Sequence, residues 1–181
     1  MEEKEILSVI ESDPWMMSVL RAAATLNLPD WMIGAGFVRS KIWDTLSGTK
    51  HEHSADIDLI YFDPNDINPE KEKEYASQLQ KLVAVEWEVV NEARAHVFNG
   101  LDPFTSSEDA MAHWTETATA VAVTLRGGDL KLIAPYGISD LVGMIVRPCP
   151  KFPRGEVLMR ERIAAKKWLE KWPQLKVITD V

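Results

Sequence analysis

The sequence predicts an α+β fold in which a mixed β-sheet is flanked by helices. Three observations predict it. Short runs of β-branched and aromatic residues recur between turn signals, the clearest being Asp56-Ile57-Asp58-Leu59-Ile60-Tyr61-Phe62. Segments with helical periodicity and explicit N-caps alternate with them, as at Asp13-Pro14 and Asn68-Pro69. A helix between the Asp56 strand and the next, Val85 to Val90, is a βαβ-like crossover that brings those two strands together.

Glu3 to Glu11 opens the chain as a short helix. The cap at Asp13-Pro14 starts a second, Trp15 to Leu26, with Met16, Val19, Leu20 and Ala23 on one stripe that packs behind the sheet. Trp31-Met32-Ile33 is a short buried strand, turning at Gly34-Ala35-Gly36 into a helix from Phe37 to Leu46. A polar, His-bearing loop precedes the Asp56 strand, and Asp63-Pro64-Asn65-Asp66 turns after it. Glu70 to Leu82 reads as a helix with early acids at its positive end and a charged, solvated face. Ser106 to Asp109 caps a short helix through Trp114. Thr119 to Leu125 and Leu130 to Ala134 form a hairpin about Arg126-Gly127-Gly128-Asp129. A helix starts near Ser139, Arg147 to Pro153 is extended, and a basic helix from Glu156 to Lys171 closes the chain, docking Ile163 and Trp168.

At 181 residues the chain is expected to form one domain, residues 1–181, with its core about 30–135 and helical N- and C-terminal flanks. A formal net charge of −8 argues against a nucleic-acid partner and against a template-directed polymerase, since both need a positive footprint. A small nucleotide brought in with a cation is compatible with it. One cysteine, Cys149, excludes an intramolecular disulfide and is expected to pack. No signal peptide is recognisable and no apolar run reaches membrane-spanning length, so no membrane partner and a reducing cytoplasm are expected.

The chemistry is expected between Trp31 and Asp58. Strand side chains alternate, so Asp56 and Asp58 share one face and repel unless a hard cation lies between them. Mg²⁺ (or Mn²⁺) takes one or two carboxylates together with substrate phosphates. Gly34 and Gly36, at a strand-to-helix turn, allow phosphate oxygens to approach backbone N–H groups, and Arg39 stands one turn into the helix, where it meets a triphosphate or makes a surface ion pair. After the Val85 strand, Arg94 could bind phosphate bidentately and His96 could orient a substrate hydroxyl. Equally, Asn91 caps a turn and His96 satisfies a local backbone group. His51, His53 and His113 lack the spacing of a zinc site.

The order strand, Gly-x-Gly, helix, then Asp-x-Asp on a strand resembles the nucleotidyltransferase superfamily that includes DNA polymerase beta. The resemblance is closer to a bacterial branch of nucleotidyltransferase-like proteins. It runs through Gly34 to Arg39, Asp56-Ile57-Asp58 with Tyr61-Phe62-Asp63, Trp87 to His96, and Ala134-Pro135-Tyr136-Gly137, ending near Trp172-Pro173. The wider superfamily has Gly-Gly or Gly-Ser where this chain has Gly-Ala-Gly. The resemblance implies a polymerase-beta-like palm and metal ligation by Asp56, Asp58 and a third carboxylate on a neighbouring strand. Glu88 is the favoured third carboxylate and Glu86, on the same face, its rival.

The function expected is Mg²⁺-dependent transfer of a nucleoside monophosphate from an NTP to a small-molecule or protein acceptor, with Asp56, Asp58 and Glu88 as catalytic and metal residues. Gly34, Gly36 and Arg39 would bind the nucleotide, and Asn91, Arg94 and His96 the substrate. The alternative is a catalytically silent nucleotide-binding or regulatory module on the same fold. A third reading, a toxin–antitoxin-type nucleotidyltransferase acting on RNA or protein, fits the acidic balance less well for RNA.

Overall fold

The computed structural model describes residues 1–53, 56–152 and 154–179. Ser54 and Ala55 of the His-bearing loop, Pro153 of the extended segment, and Asp180 and Val181 lie outside the described residues.

In chain order the elements are α1 (Glu3–Glu11), α2 (Pro14–Ala24), β1 (Met32–Gly34), α3 (Gly36–Ser47), β2 (Asp56–Tyr61), α4 (Pro69–Leu82), β3 (Glu86–Asn91) and α5 (Glu92–Ala95). After a 3-10 turn, His96–Asn99, come α6 (Ser107–Met111), β4 (Ala122–Arg126), β5 (Asp129–Ile133), α7 (Ser139–Val142), β6 (Ile145–Val146), α8 (Gly155–Ala165), α9 (Trp168–Lys171) and β7 (Lys176–Val177). The expected caps are present. Asp13 accepts from the N–H groups of Trp15 and Met16, Asn68 from Glu70, and Ser106 from Asp109.

Among the described residues, five strands form one mixed sheet in the order β3-β2-β1-β4-β5. β2 and β3 are parallel, joined by the α4 crossover, and the remaining pairs are antiparallel. One face carries Ile33, Ile57, Leu59, Tyr61, Trp87 and Val89 into the main core, where they meet Ile6, Val19, Phe37, Trp43 and Leu79 from helices α1 to α4. The opposite face carries a smaller apolar cluster of Met32, Ile60, Met111, Ala120, Ala122 and Cys149. The acidic positions of β2 and β3 belong to this second face.

Two expectations need correction, and one element is new. The single helix from Glu156 to Lys171 is two, because Lys167 takes φ 54° and ψ 41° and breaks the run between α8 and α9. That break lets Trp168 turn inward to meet Trp43 edge-on at 5.6 Å. The α4 face is not fully solvated, since Glu72 is buried and holds the Asn91 N–H at 2.8 Å. The small parallel pair β6–β7 was not anticipated and ties the C-terminal segment to the region after α7.

Candidate functional site

At the end of β1 the chain reverses into α3 through Ala35, which sits at φ 53° and ψ −125°. An L-residue rarely takes this conformation, so the strain expected at a glycine falls on the residue between the glycines. The Ala35 N–H donates to the Val121 carbonyl at 3.2 Å, tying the turn to the segment before β4. Gly34 serves packing: a Cβ there would come within 2.9 Å of both Trp114 Cη2 and the Val121 carbonyl oxygen. Gly34 does not line the cavity beside the turn, whereas Ala35 and Gly36 do.

That cavity has a volume of about 420 Å³. Asp56, Asp58 and Ile60 line it from β2, and Glu88 and Val90 from β3. The parallel register pairs Asp56 with Glu86 and Asp58 with Glu88, so all four acids share a sheet face. Glu88 lines the cavity and Glu86 does not. The Asp58 carboxyl is pushed up to about 6 by burial, then by the negative charge of Glu88 and Asp56, with Lys166 and Arg39 pulling the other way.

The cations come from both ends of the chain. Arg39 is 4% exposed and donates from Nη1 to Thr119 Oγ1 at 2.8 Å. Its guanidinium lies 4.2 Å from the Trp168 ring centroid and 5.3 Å from that of Trp43. Burial pushes it down to about 10 against the pull of Glu116, Asp58 and Asp56, so it stays charged at neutral pH. Arg162 and Lys166 reach the cavity from the end of α8. Arg162 donates to Glu116 Oε1 at 2.8 Å, and Glu116 is fully buried.

The rest of the lining includes the apolar and aromatic Ile60, Val90, Trp114 and Phe152, together with Glu92 and His113. His113 Nδ1 lies 2.9 Å from the Asp109 carbonyl oxygen. Glu92 is 6% exposed, and burial followed by the charge of Glu72 pushes its carboxyl up to about 7.

Asn91, Arg94 and His96 stay out of this cavity. Asn91 lies on the face of β3 opposite Glu88, where its amide accepts from the Asp63 and Ala93 N–H groups and donates to the Asp63 and Asp66 carbonyls. Of its two readings, the turn cap is the one realised. Arg94 forks onto Glu72, with Nε at 2.8 Å from Oε1 and Nη2 on Oε2. His96 packs 6.2 Å from the Phe104 ring, and its Nδ1 has no hydrogen-bond partner among the described residues. Away from the site, His51 lies 2.5 Å from Asp44 Oδ1 and His53 stacks on Trp15 at 3.9 Å.

Glu92, Arg162 and Lys166 were missed in the sequence, yet faint signals existed. Glu92 continues the parity of Glu88 and Val90, and Arg162 and Lys166 stand four residues apart on one helical side.

A strand-turn-helix leading to acids on adjacent strands of a mixed sheet defines a polymerase-beta-like nucleotidyltransferase fold. Residues 21–177 match the family model described as Nucleotidyltransferase, and the chain belongs to that family. A solved structure described as revealing a CCA-adding enzyme head domain is 34% identical, with a TM-score of 0.86, covering 99% of this chain and 97% of the other. The complex of a CCA-adding enzyme with CTP is 18% identical with a TM-score of 0.59, covering 98% of this chain and 43% of that one. The Thermotoga maritima CCA-adding enzyme complexed with tRNA gives 18% and 0.59, covering 98% and 42%. These last two likenesses concern the fold, and the chain spans less than half of those enzymes. No curated protein matches the chain. Among the described residues no helix is long and apolar enough to cross a membrane.

Proposed function

We propose that the protein transfers a nucleoside monophosphate from an NTP to a hydroxyl or phosphate of a small-molecule or protein acceptor, using Mg²⁺ or Mn²⁺. One observation carries the reading: Asp56, Asp58 and Glu88 line the same cavity as Arg39, Arg162 and Lys166. The donor set fits a hard cation. It is all oxygen, and Asp58 is destabilised as an anion by burial and then by its acidic neighbours, a conflict that a divalent ion relieves. Among the described residues no three His, Cys, Asp or Glu side chains already close around one point.

In this reading Asp56, Asp58 and Glu88 hold the cation, which when bound neutralises the α-phosphate and makes an acceptor hydroxyl more acidic. The first turn of α3, from Gly36, offers N–H groups to the phosphates, whereas the Ala35 N–H is held by Val121. Arg39, Arg162 and Lys166 offset the triphosphate charge. The acceptor oxygen bonds to the α-phosphorus as the bond from that phosphorus to the α,β-bridging oxygen breaks, releasing pyrophosphate, and the acceptor proton passes to solvent. The net charge of −8 favours a small-molecule or protein acceptor over a nucleic acid.

The test is pyrophosphate release from each α-labelled NTP with Mg²⁺ and an acceptor panel, for wild type and Asp58→Asn. Label transfer by wild type that is lost in Asp58→Asn supports the proposal. Equal transfer by both proteins overturns it. Metal-dependent nucleotide binding without transfer to any acceptor assigns the chain to the silent binding module.

A further inference from the structure

We propose that Glu92 is the base-reading residue of this nucleotide site, selecting nucleotides whose base carries an exocyclic amino group over uracil nucleotides. The inference rests on the nucleotidyl-transfer reading above. Its observations are separate from those that support the reading.

The cavity is polarised along the strands. The antiparallel β1–β2 ladder sets Met32 beside Ile60 and Ile33 beside Leu59, so the strained turn after β1 lies towards the Asp56 end of β2, and Glu88 stands opposite Asp58. Further along the same two strands come Ile60 and Val90 and then, just past β3, Glu92; Trp114 and Phe152 line the same cavity and pack in the Ile60 cluster. Glu92 is four residues past Glu88, on the order of 10 Å along the chain. An α-phosphate at the acids and a triphosphate at the turn therefore leave the nucleoside to extend towards Glu92. Aromatic and aliphatic walls ending in one hydrogen-bonding group are how a protein holds a base, by its flat faces and by its Watson–Crick edge.

Glu92 is nine-tenths buried yet has neither a hydrogen bond nor an ion pair among the described residues. The nearest cationic partner in sequence, Arg94, is already occupied by Glu72. A buried carboxyl without a partner costs stability, and a structural role would have supplied one. Burial and Glu72 push its proton affinity up, which is the signature of an anion that lacks donors. Ionised, as it is above a pH of about 7, the carboxylate only accepts, and it takes an amino N–H, which adenine, cytosine and guanine each present. Uracil offers only a ring N–H between two carbonyl oxygens, which repel the second oxygen of the carboxylate. Protonated, the group both donates and accepts and admits uracil, so the preference belongs to the ionised form.

The test is direct binding of α,β-methylene analogues of ATP, CTP, GTP and UTP to the full chain with Mg²⁺ at pH 8.5, where Glu92 is ionised, read by tryptophan fluorescence, for wild type, Glu92→Gln and Asp58→Asn. Wild type is expected to bind at least one amino-bearing analogue about tenfold or more tighter than the UTP analogue. Glu92→Gln both donates and accepts, so it should admit uracil and cut that preference to about threefold or less. Its thermal melt shows that the fold is retained, and Glu92→Ala, losing the preference by weakening the amino-bearing analogues, is the second variant. If wild type binds with no preference against uracil, or Glu92→Gln leaves the preference intact, the base-reading role is overturned while Asp58→Asn still reports on the metal site. A Glu92→Gln variant that loses all four analogues equally overturns it too, by making Glu92 part of the phosphate or metal machinery. If no analogue binds wild type, both readings fail together.

Discussion

Asp58 of β2 and Glu88 of β3 are direct partners in a parallel ladder, two carboxylates facing the same cavity from neighbouring strands. Burial, and behind it the charge of Glu88, makes Asp58 harder to ionise.

The metal-free protein should lose stability as the pH rises through this window. Asp58 has an ordinary value of 3.8 and a folded value of about 6, and Glu92 goes from 4.5 to about 7. Between those values the folded state binds more protons than the unfolded chain, so each contribution is fully present below the unfolded value and is lost as pH rises through the folded one. Each is on the order of 3 kcal/mol at most. Urea melts across pH 4.5 to 7.5 without metal should therefore show Asp58→Asn and Glu92→Gln gaining on wild type towards neutral pH. Parallel pH profiles for all three proteins would show the two carboxyls to be unstrained.

Ala35→Gly should stabilise the protein. The φ of 53° and ψ of −125° strain alanine but not glycine. Relief of about 1–3 kcal/mol, less the extra freedom glycine gives the unfolded chain, leaves a gain of about 1 kcal/mol. A lower melting temperature for the variant contradicts this.

Gly34→Ala should do the reverse. The new methyl meets Trp114 and the Val121 carbonyl at 2.9 Å, where backbone cannot yield easily. A loss of about 1–3 kcal/mol is expected in denaturant unfolding.

Arg94→Ala should damage the fold and spare the site. It leaves Glu72 buried beside Glu92 without its guanidinium, costing about 3 kcal/mol. Nucleotide affinity, measured where the variant is still folded, should match wild type, since Arg94 does not line the cavity.

Lys166→Met should act in the opposite sense. Lys166 is exposed, so stability should change little, whereas its loss from the cavity should weaken NTP binding about tenfold. Unaltered affinity in titration calorimetry would remove Lys166 from the site.

Much of this architecture was legible in residues read a few at a time. Asp13, Asn68 and Ser106 announced three helix starts because capping is chemistry between neighbours. The α4 crossover announced a parallel β2–β3 pair. Asn91 and Arg94, polar residues just after an acidic strand, do not line the acids' cavity and are engaged by Asp63 and Glu72. Strand parity, already visible in Glu88 and Val90, placed Asn91 on the other face.

The sequence by itself determined that Asp56 and Asp58 share a face, because alternation is built into an extended backbone and needs no partner. It also determined that a strand reverses into a helix at Gly34-Ala35-Gly36. Tertiary structure alone decided the rest. Strand register chose Glu88 over Glu86 for the cavity, and packing of Trp114 against Gly34 assigned that glycine to the core. The break at Lys167 and the docking of Trp168 brought Arg162 and Lys166 towards the acids. These are contacts between residues far apart in the chain, fixed by which surfaces bury one another, and no local pattern of side chains encodes them.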